Sequence, residues 1–247
     1  MSIPCPFNWI GSECKPQRLY HYARWHWILK DIVDGSVTLT DPSRWSDPTE
    51  RLWTNWITKN VSRTVLCMCF TRTNRSEALW RVERPTAEGP ATSQTIVRFR
   101  TSFDRLRSAA TSSADLQDRL LGKSFLVPVR YLRHDHEIER RFDGLTTTKQ
   151  VAGEAARALS FKRYPYRYER EVRWVHVTQS AGDPGGRTPV KLDIRKLIDQ
   201  IMIDPRTEPA IADQIRAQAY SAGFAGEMVH SRLFELPVRL RPFAVRS

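Results

Sequence analysis

Four cysteines in 247 residues (Cys5, Cys14, Cys67 and Cys69) are too few to staple a chain of this size with disulfides. Neither close pair shows Cys-x2-Cys spacing with histidines nearby, which argues against a zinc site, and no metal is expected. Long apolar runs are missing too: none approaches the roughly 20 residues of a membrane span. The N-terminus has no basic region followed by an apolar stretch, so no secretory signal is expected and the predicted location is cytoplasmic. No Walker A sequence, no Gly-x-Gly-x-x-Gly and no Gly-x-Ser-x-Gly occurs, which removes the usual support for kinase and hydrolase chemistry. Acidity is also scarce. Asp and Glu number 27 against 39 Lys and Arg, a formal net charge of +12.

Arginine supplies most of that excess. Its planar fork of donors suits bidentate contacts with phosphate or carboxylate. A globule this basic is drawn to nucleic acid in a salt-dependent way, although a solvated Arg-rich surface gives the same composition. Apolar residues make up 40% of the chain and aromatics 10%, enough for a core that needs neither disulfides nor metal. Trp25, Trp27, Trp45, Trp53 and Trp56 lie close to Arg24, Arg44 and Arg51. Such interleaving suits single-stranded nucleic acid, or, more simply, core aromatics with arginines at the rim.

Residues 1–18, punctuated by Pro4, Pro6, Gly11 and Pro16, read as an irregular leader, and 19–247 as a single domain. Leu19 to Tyr22 predicts a short strand and Trp25 to Val33 a helix, closed by Asp34-Gly35. Ser46-Asp47-Pro48-Thr49-Glu50 is a helix start, with Ser46 or Asp47 as cap and Pro48 in the first turn. Val65 to Phe70 is apolar on both faces and so predicts a central strand. Phe125 to Leu132 is another, whose Pro128 points to an edge or a bulge. Tyr168 to Val177 is the strongest strand pattern, and Leu233 to Leu240 reads as a terminal strand. Helices and strands mix without strict βαβ repetition, which predicts an α+β fold with a split or largely antiparallel sheet.

On a strand, alternate residues share a face, so Glu169, Glu171 and Arg173 point one way and Arg170, Val172 and Trp174 the other. Three charges on one face of a strand that continues apolar predict the floor of a cleft, or else an edge strand with cross-strand ion pairs. A buried Glu beside a cation stays ionised and can stabilise a developing cation or orient a hydroxyl. His21, in Leu19-Tyr20-His21-Tyr22, has the chemistry to hold a ribose hydroxyl or move a proton, and equally to serve structure. Cys69-Phe70-Thr71 is a strand ending in a hydroxyl, and Trp80 beyond it offers a stacking ring or a core residue. His134 and His136 flank Asp135 like a loop metal pair, though a solvated turn explains them as well.

Taken in order, these pieces resemble an uncharacterised bacterial family. That family has a Leu-Tyr-x-Tyr start, an Asn-Asp-Pro-x-Glu turn (here Ser46 to Glu50), a Cys-Phe-Ser strand (Cys69 to Thr71), a Trp (Trp80) and a late Tyr-Glu-x-Glu-x-Arg (Tyr168 to Arg173). The same skeleton resembles the ADP-ribosyltransferase superfamily, in particular its nucleic-acid-modifying toxin branch, although Ala23 stands where a Thr or Ser commonly follows the first-strand His. The resemblance implies an ADP-ribosyltransferase-like fold and NAD as the cofactor consumed. It implies Glu171 as the catalytic carboxylate and Glu169 as the residue that orients the acceptor. Tyr20, His21 and Thr71 would hold the ribose, with Trp80 and Arg173 supporting the cofactor. A toxin or phage-defence effector that modifies RNA or DNA is the implied role, with room for an antitoxin or other neutralising partner. Two alternatives stay open at this point: NAD hydrolysis at the same site, and a basic nucleic-acid-binding module without catalysis.

Overall fold

A computed structural model describes residues 7–12, 14–45, 47–60, 64–82, 90–113, 122–146, 151–178 and 186–235. In chain order it contains β1 (Phe7–Trp9), β2 (Leu19–Arg24), α1 (Trp25–Asp34), β3 (Ser36–Thr40), α2 (Pro48–Asn60) and β4 (Thr64–Thr71). Next come α3 (Glu77–Val82), α4 (Ala91–Gln94), β5 (Ile96–Thr101), α5 (Phe103–Ser112), β6 (Gly122–Pro128) and β7 (Arg130–Leu132). Then follow α6 (Asp135–Thr146), α7 (Val151–Ala158), β8 (Phe161–Arg163) and β9 (Glu171–Thr178). The last are β10 (Arg187–Lys191), α8 (Ile194–Leu197), β11 (Gln200–Ile203), α9 (Pro209–Ser221) and β12 (Glu227–His230). Helices and strands mix as the sequence predicts.

The main sheet runs β1-β6-β9-β4-β2-β5-β11-β12, with β3 attached to β4 and β10 to β3. Its pairs are antiparallel except β1 with β6 and β11 with β12. A separate parallel pair joins β7 to β8. On one side β4 follows β9 through eight register pairs. On the other it meets β2 only at Tyr20–Thr71 and β3 only at Thr40–Cys67. The sheet therefore splits along β4, as expected from the pattern, with β2 parting from β4 beyond the Tyr20–Thr71 pair.

Alternation along the strands sends side chains to two cores. Leu66, Met68 and Phe70 of β4, with Val172 and Trp174 of β9, pack into the larger one, together with Ile28 and Ile32 of α1 and Ile215 of α9. Val65 and Cys67, with Val175 and Val177, pack into the smaller one under Trp53, Trp56 and Ile57 of α2 and Ala155 and Ala156 of α7. Gly35 ends α1 at φ 58° and ψ 41°, the left-handed geometry a side chain resists.

Three expectations need correction. The leader is not irregular throughout, because Phe7–Trp9 adds a parallel strand to β6. That addition makes β6 interior: Pro128 is its last residue, beyond the β1 register, where no ladder N–H is required of it. Trp25, Trp53 and Trp56 are core residues, so most of the Arg/Trp interleaving is not a nucleic-acid surface. Residues 236–240 of the expected terminal strand lie outside the described residues, as does Ser46.

Candidate active site

Across β4 and β9, Val65, Cys67, Cys69 and Thr71 stand opposite Val177, Val175, Arg173 and Glu171. One face thus turns from apolar to charged as it approaches the split. Two neighbouring segments complete the charged end. The first is α2, whose N-terminus is capped by Asp47: its Oδ1 accepts from the N–H groups of Thr49 (2.9 Å) and Glu50 (3.1 Å). The Asp47 carboxylate also pairs with Arg163 at 2.6 Å, tying the helix start to β8. Glu50, in the first turn, is thereby directed inward and buried. The second is β8, which contributes Lys162.

Arg173 is 0% exposed and sits at the centre. Its Nε donates to Glu171 Oε1 at 2.8 Å and its Nη2 to Glu171 Oε2 at 3.0 Å, a two-pronged grip. Nη2 also donates to Glu50, and Nη1 to the Leu159 carbonyl at 2.8 Å. The Trp45 ring lies 4.4 Å from the guanidinium carbon. Lys162 Nζ donates to Glu169 at 2.6 Å and to Glu171 at 3.2 Å, with Glu50 at 3.8 Å. The Glu171 N–H donates to the Tyr131 hydroxyl at 2.7 Å.

Burial by itself would raise the pKa of Glu171, but the Arg173 guanidinium and the Lys162 ammonium outweigh it and hold the carboxyl at about 2. The Cys69 thiol, kept protonated by burial, donates to the same carboxylate. Glu169 shifts the other way: burial raises its pKa, and Lys162 only partly offsets that. With all groups ionised, three carboxylates (Glu50, Glu169, Glu171) face two cations (Lys162, Arg173), so the cluster carries one net negative charge.

This cluster floors a cavity of about 460 Å³ in the split, within the usual range for small-molecule sites. Glu171, Glu169, Glu50 and Lys162 line it, as do Tyr20, His21 and Tyr22 from β2, Cys69 to Thr71 from β4, and Arg44 and Trp45. His21 stands where β2 and β4 part. Its Nδ1–H donates to the Cys69 carbonyl at 2.6 Å, which leaves Nε2 as the acceptor nitrogen. Burial lowers the pKa of His21, keeping the ring neutral, and Arg187 adds to the effect. Thr71 Oγ1 donates to the Glu169 carbonyl and accepts from the Thr73 N–H at 2.9 Å.

The expected site residues are thus sorted by the structure. Tyr20, His21, Thr71, Glu169 and Glu171 come together around one cavity. Arg173 lies beneath the carboxylates, sealed from the cavity, so it cannot touch a cofactor directly. Trp80 packs edge-on against Tyr22 at 4.8 Å and borders the adjoining groove instead of this cavity. Glu169 is not on the strand: it ends a 3-10 turn (Tyr164–Glu169), and Arg170 adopts a left-handed conformation (φ 45°) before β9 begins. His134 and His136 are exposed and stacked 5.4 Å apart at the start of α6, and no group of three or more metal-ligating side chains occurs among the described residues. Sequence reasoning missed Lys162 and Tyr131, and singled out Arg44 and Trp45 only within an Arg/Trp interleaving suited to nucleic acid or core packing. It also read Glu50 only as part of a turn, although the three-residue spacing from the Asp47 cap was a usable signal.

No protein-family model matches the chain, and no curated protein sequence does. Among solved structures, "Thermus sp. 2.9 DarT in complex with NAD+" is similar over 90% of this chain and 98% of its own, at 10% identity and a TM-score of 0.40. "Thermus sp. 2.9 DarT in complex with ADP-ribosylated ssDNA" is similar over 88% of this chain and 95% of its own, also at 10% identity and a TM-score of 0.40. A likeness at this level identifies neither a fold family nor a reaction.

Proposed function

We propose that this chain is an NAD-dependent ADP-ribosyltransferase whose acceptor is nucleic acid, acting as a toxin or phage-defence effector. The observation that carries the reading is Glu171, an ionised carboxylate held by two cations at the floor of a cavity. Cleavage of the nicotinamide–ribose bond releases neutral nicotinamide and leaves an oxocarbenium-like C1′. A fixed carboxylate stabilises that cation without having to reorganise. Glu171 needs no base to ionise it, since Arg173 and Lys162 do so and also fix its orientation.

The other residues fall into roles around it. Neutral His21, with Nε2 as acceptor, can take a hydrogen bond from a ribose hydroxyl, and Tyr20 stands beside it. Arg44 supplies a cation and Trp45 a ring at the cavity wall, suited to a pyrophosphate and a flat base. Glu169, with its raised pKa, is the group to accept the proton that an acceptor N–H or O–H loses on attacking C1′. Thr71 acts through Glu169, holding the turn that carries it. Arg173 is a positioning residue. The DarT structures contain the ligands this reading calls for, NAD+ and ADP-ribosylated ssDNA, but it rests on the cavity's own chemistry.

Labelled NAD incubated with separate pools of RNA, DNA and protein tests it. The wild type should transfer label to nucleic acid, and Glu171→Gln should lower transfer by about 10²–10³-fold. Turnover undiminished in Glu171→Gln would falsify the assignment. Nicotinamide release with no labelled acceptor would move the reading to NAD hydrolysis at the same site.

A further inference from the structure

Tyr20 walls a second concavity, of about 530 Å³, beside the first. Its floor is the outer face of β2, β5 and β11, where Tyr20 pairs with Arg100, Arg100 with Gln200, and Arg98 with Met202. The alternate residues Leu19, Val97, Phe99 and Ile201 pack into the core on the other face. A floor residue stands out electrostatically. Arg98 is 3% exposed, and among the described residues it makes no ion pair with a carboxylate. Its Nη1 donates to the Asn74 carbonyl and its Nη2 to Gln200 Oε1 at 3.1 Å, while its guanidinium covers the Tyr20 ring at 4.5 Å. Its Nε is buried with no acceptor in hydrogen-bonding geometry, and the neutral Tyr22 phenol is a polar neighbour of the guanidinium.

A buried charge left without a counter-charge is costly, and an anion in the cavity that Arg98 lines would compensate it. The rim extends the same field. Arg18 and Arg75 are exposed there and, among the described residues, neither makes an ion pair. Arg100 and Arg232, by contrast, are held by Asp199 and Glu235. Three uncompensated guanidinium groups running from floor to rim, next to the cavity of Glu171, match a chain of phosphates better than one isolated anion.

We propose that this groove binds the phosphodiester backbone of a single-stranded nucleic acid, with Arg98 taking one phosphate at the floor and Arg18 and Arg75 its neighbours at the rim. The inference builds on the reading of a nucleic-acid acceptor and assigns the path that the acceptor strand follows to the cavity.

The test is fluorescence anisotropy of a labelled single-stranded DNA oligonucleotide, without NAD and over a series of salt concentrations. NAD turnover without oligonucleotide is measured separately as nicotinamide release. Arg18→Gln and Arg75→Gln are exposed changes that the fold tolerates, and Arg98→Lys probes the floor. Each glutamine variant should weaken binding roughly tenfold and lower the slope of log K against log salt by about 0.7, the value for one phosphate contact on a single strand. Arg98→Lys keeps the charge but loses the planar fork, so it should weaken binding with the slope little changed. Arg140→Gln, exposed on α6, should change neither. Equal losses in Arg140→Gln and the groove variants would reduce the effect to net charge and overturn the proposal, as would a wild type that binds no oligonucleotide. A raised KM for NAD in the groove variants, with oligonucleotide binding intact, would give the groove to the dinucleotide instead. Loss of binding in the groove variants together with unchanged NAD turnover in Glu171→Gln would leave the groove standing and sink only the catalytic reading.

Discussion

Arg173 makes four hydrogen bonds with no exposure to water, so removing it strands Glu171 and Glu50 in the interior with Lys162 as their remaining cation. Breaking a buried pair from one side typically costs about 3–5 kcal/mol, because the charge left behind is uncompensated. Arg173→Met should therefore lower the urea midpoint by an amount in that range. Glu50→Gln combined with Arg173→Met removes one of the stranded charges and should recover at least about 1 kcal/mol relative to the sum of the two single losses. Strict additivity of the two changes would show that the network is not coupled as its geometry requires. Arg173→Lys keeps the charge but loses the two-pronged grip, so its effect should fall more on NAD turnover than on stability.

Helix α2 delivers Glu50 only because its first turn is anchored. Asp47 Oδ1 caps two N–H groups while Oδ2 holds Arg163 at 2.6 Å. Asp47→Ala removes both contacts and should cost about 1–2 kcal/mol. Asp47→Asn keeps a good cap but loses the charge pair with half-exposed Arg163, and should cost under about 1 kcal/mol. Equal urea midpoints for the two variants would show that the cap contributes nothing. This turn was legible in the sequence because Asp-Pro at a helix start carries its own local chemistry. The split sheet was foreshadowed by strand composition, and period-two alternation placed Glu171 and Arg173 on one face correctly. The same alternation failed two residues earlier. Arg170 turns left-handed at φ 45°, and nothing about arginine signals a positive φ, so Glu169 seemed to lie on a strand when it ends a 3-10 turn. Lys162 was invisible for a different reason: its place depends on the parallel pairing of β7 with β8, a contact no local pattern encodes. The pairing of Phe7–Trp9 with β6 was hidden in the same way.

Acid should destabilise the molecule in two stages with separate causes. His176, on interior strand β9, is 5% exposed and joined to Ser124 Oγ at 2.9 Å, and burial holds its pKa at about 4. Below its unfolded value near 6.5, the unfolded chain takes a proton that the folded state refuses. Stability present above about pH 6.5 is thus lost as pH falls toward 4, by about 2 kcal/mol at pH 5 and about 3 kcal/mol at pH 4. Glu171 acts lower down. Its carboxyl, held near 2 when folded, loses a further 3 kcal/mol or so between about pH 4.5 and 2, as the unfolded chain protonates first. Glu169 opposes both, since its raised pKa makes the folded state the better proton acceptor as pH falls. The +12 charge adds self-repulsion as carboxylates are neutralised, so acid sensitivity alone does not identify a residue. His176→Gln does, because it keeps a polar partner for Ser124, cannot titrate, and leaves Glu169 and the net-charge effect at pH 7 unchanged. Urea midpoints of the wild type should fall between pH 7 and pH 5 and those of His176→Gln should fall distinctly less, with equal slopes in denaturant. The remaining fall belongs to His21, whose pKa burial also lowers. Parallel falls in both proteins would move the upper stage from His176 to His21 and the general charge of the molecule.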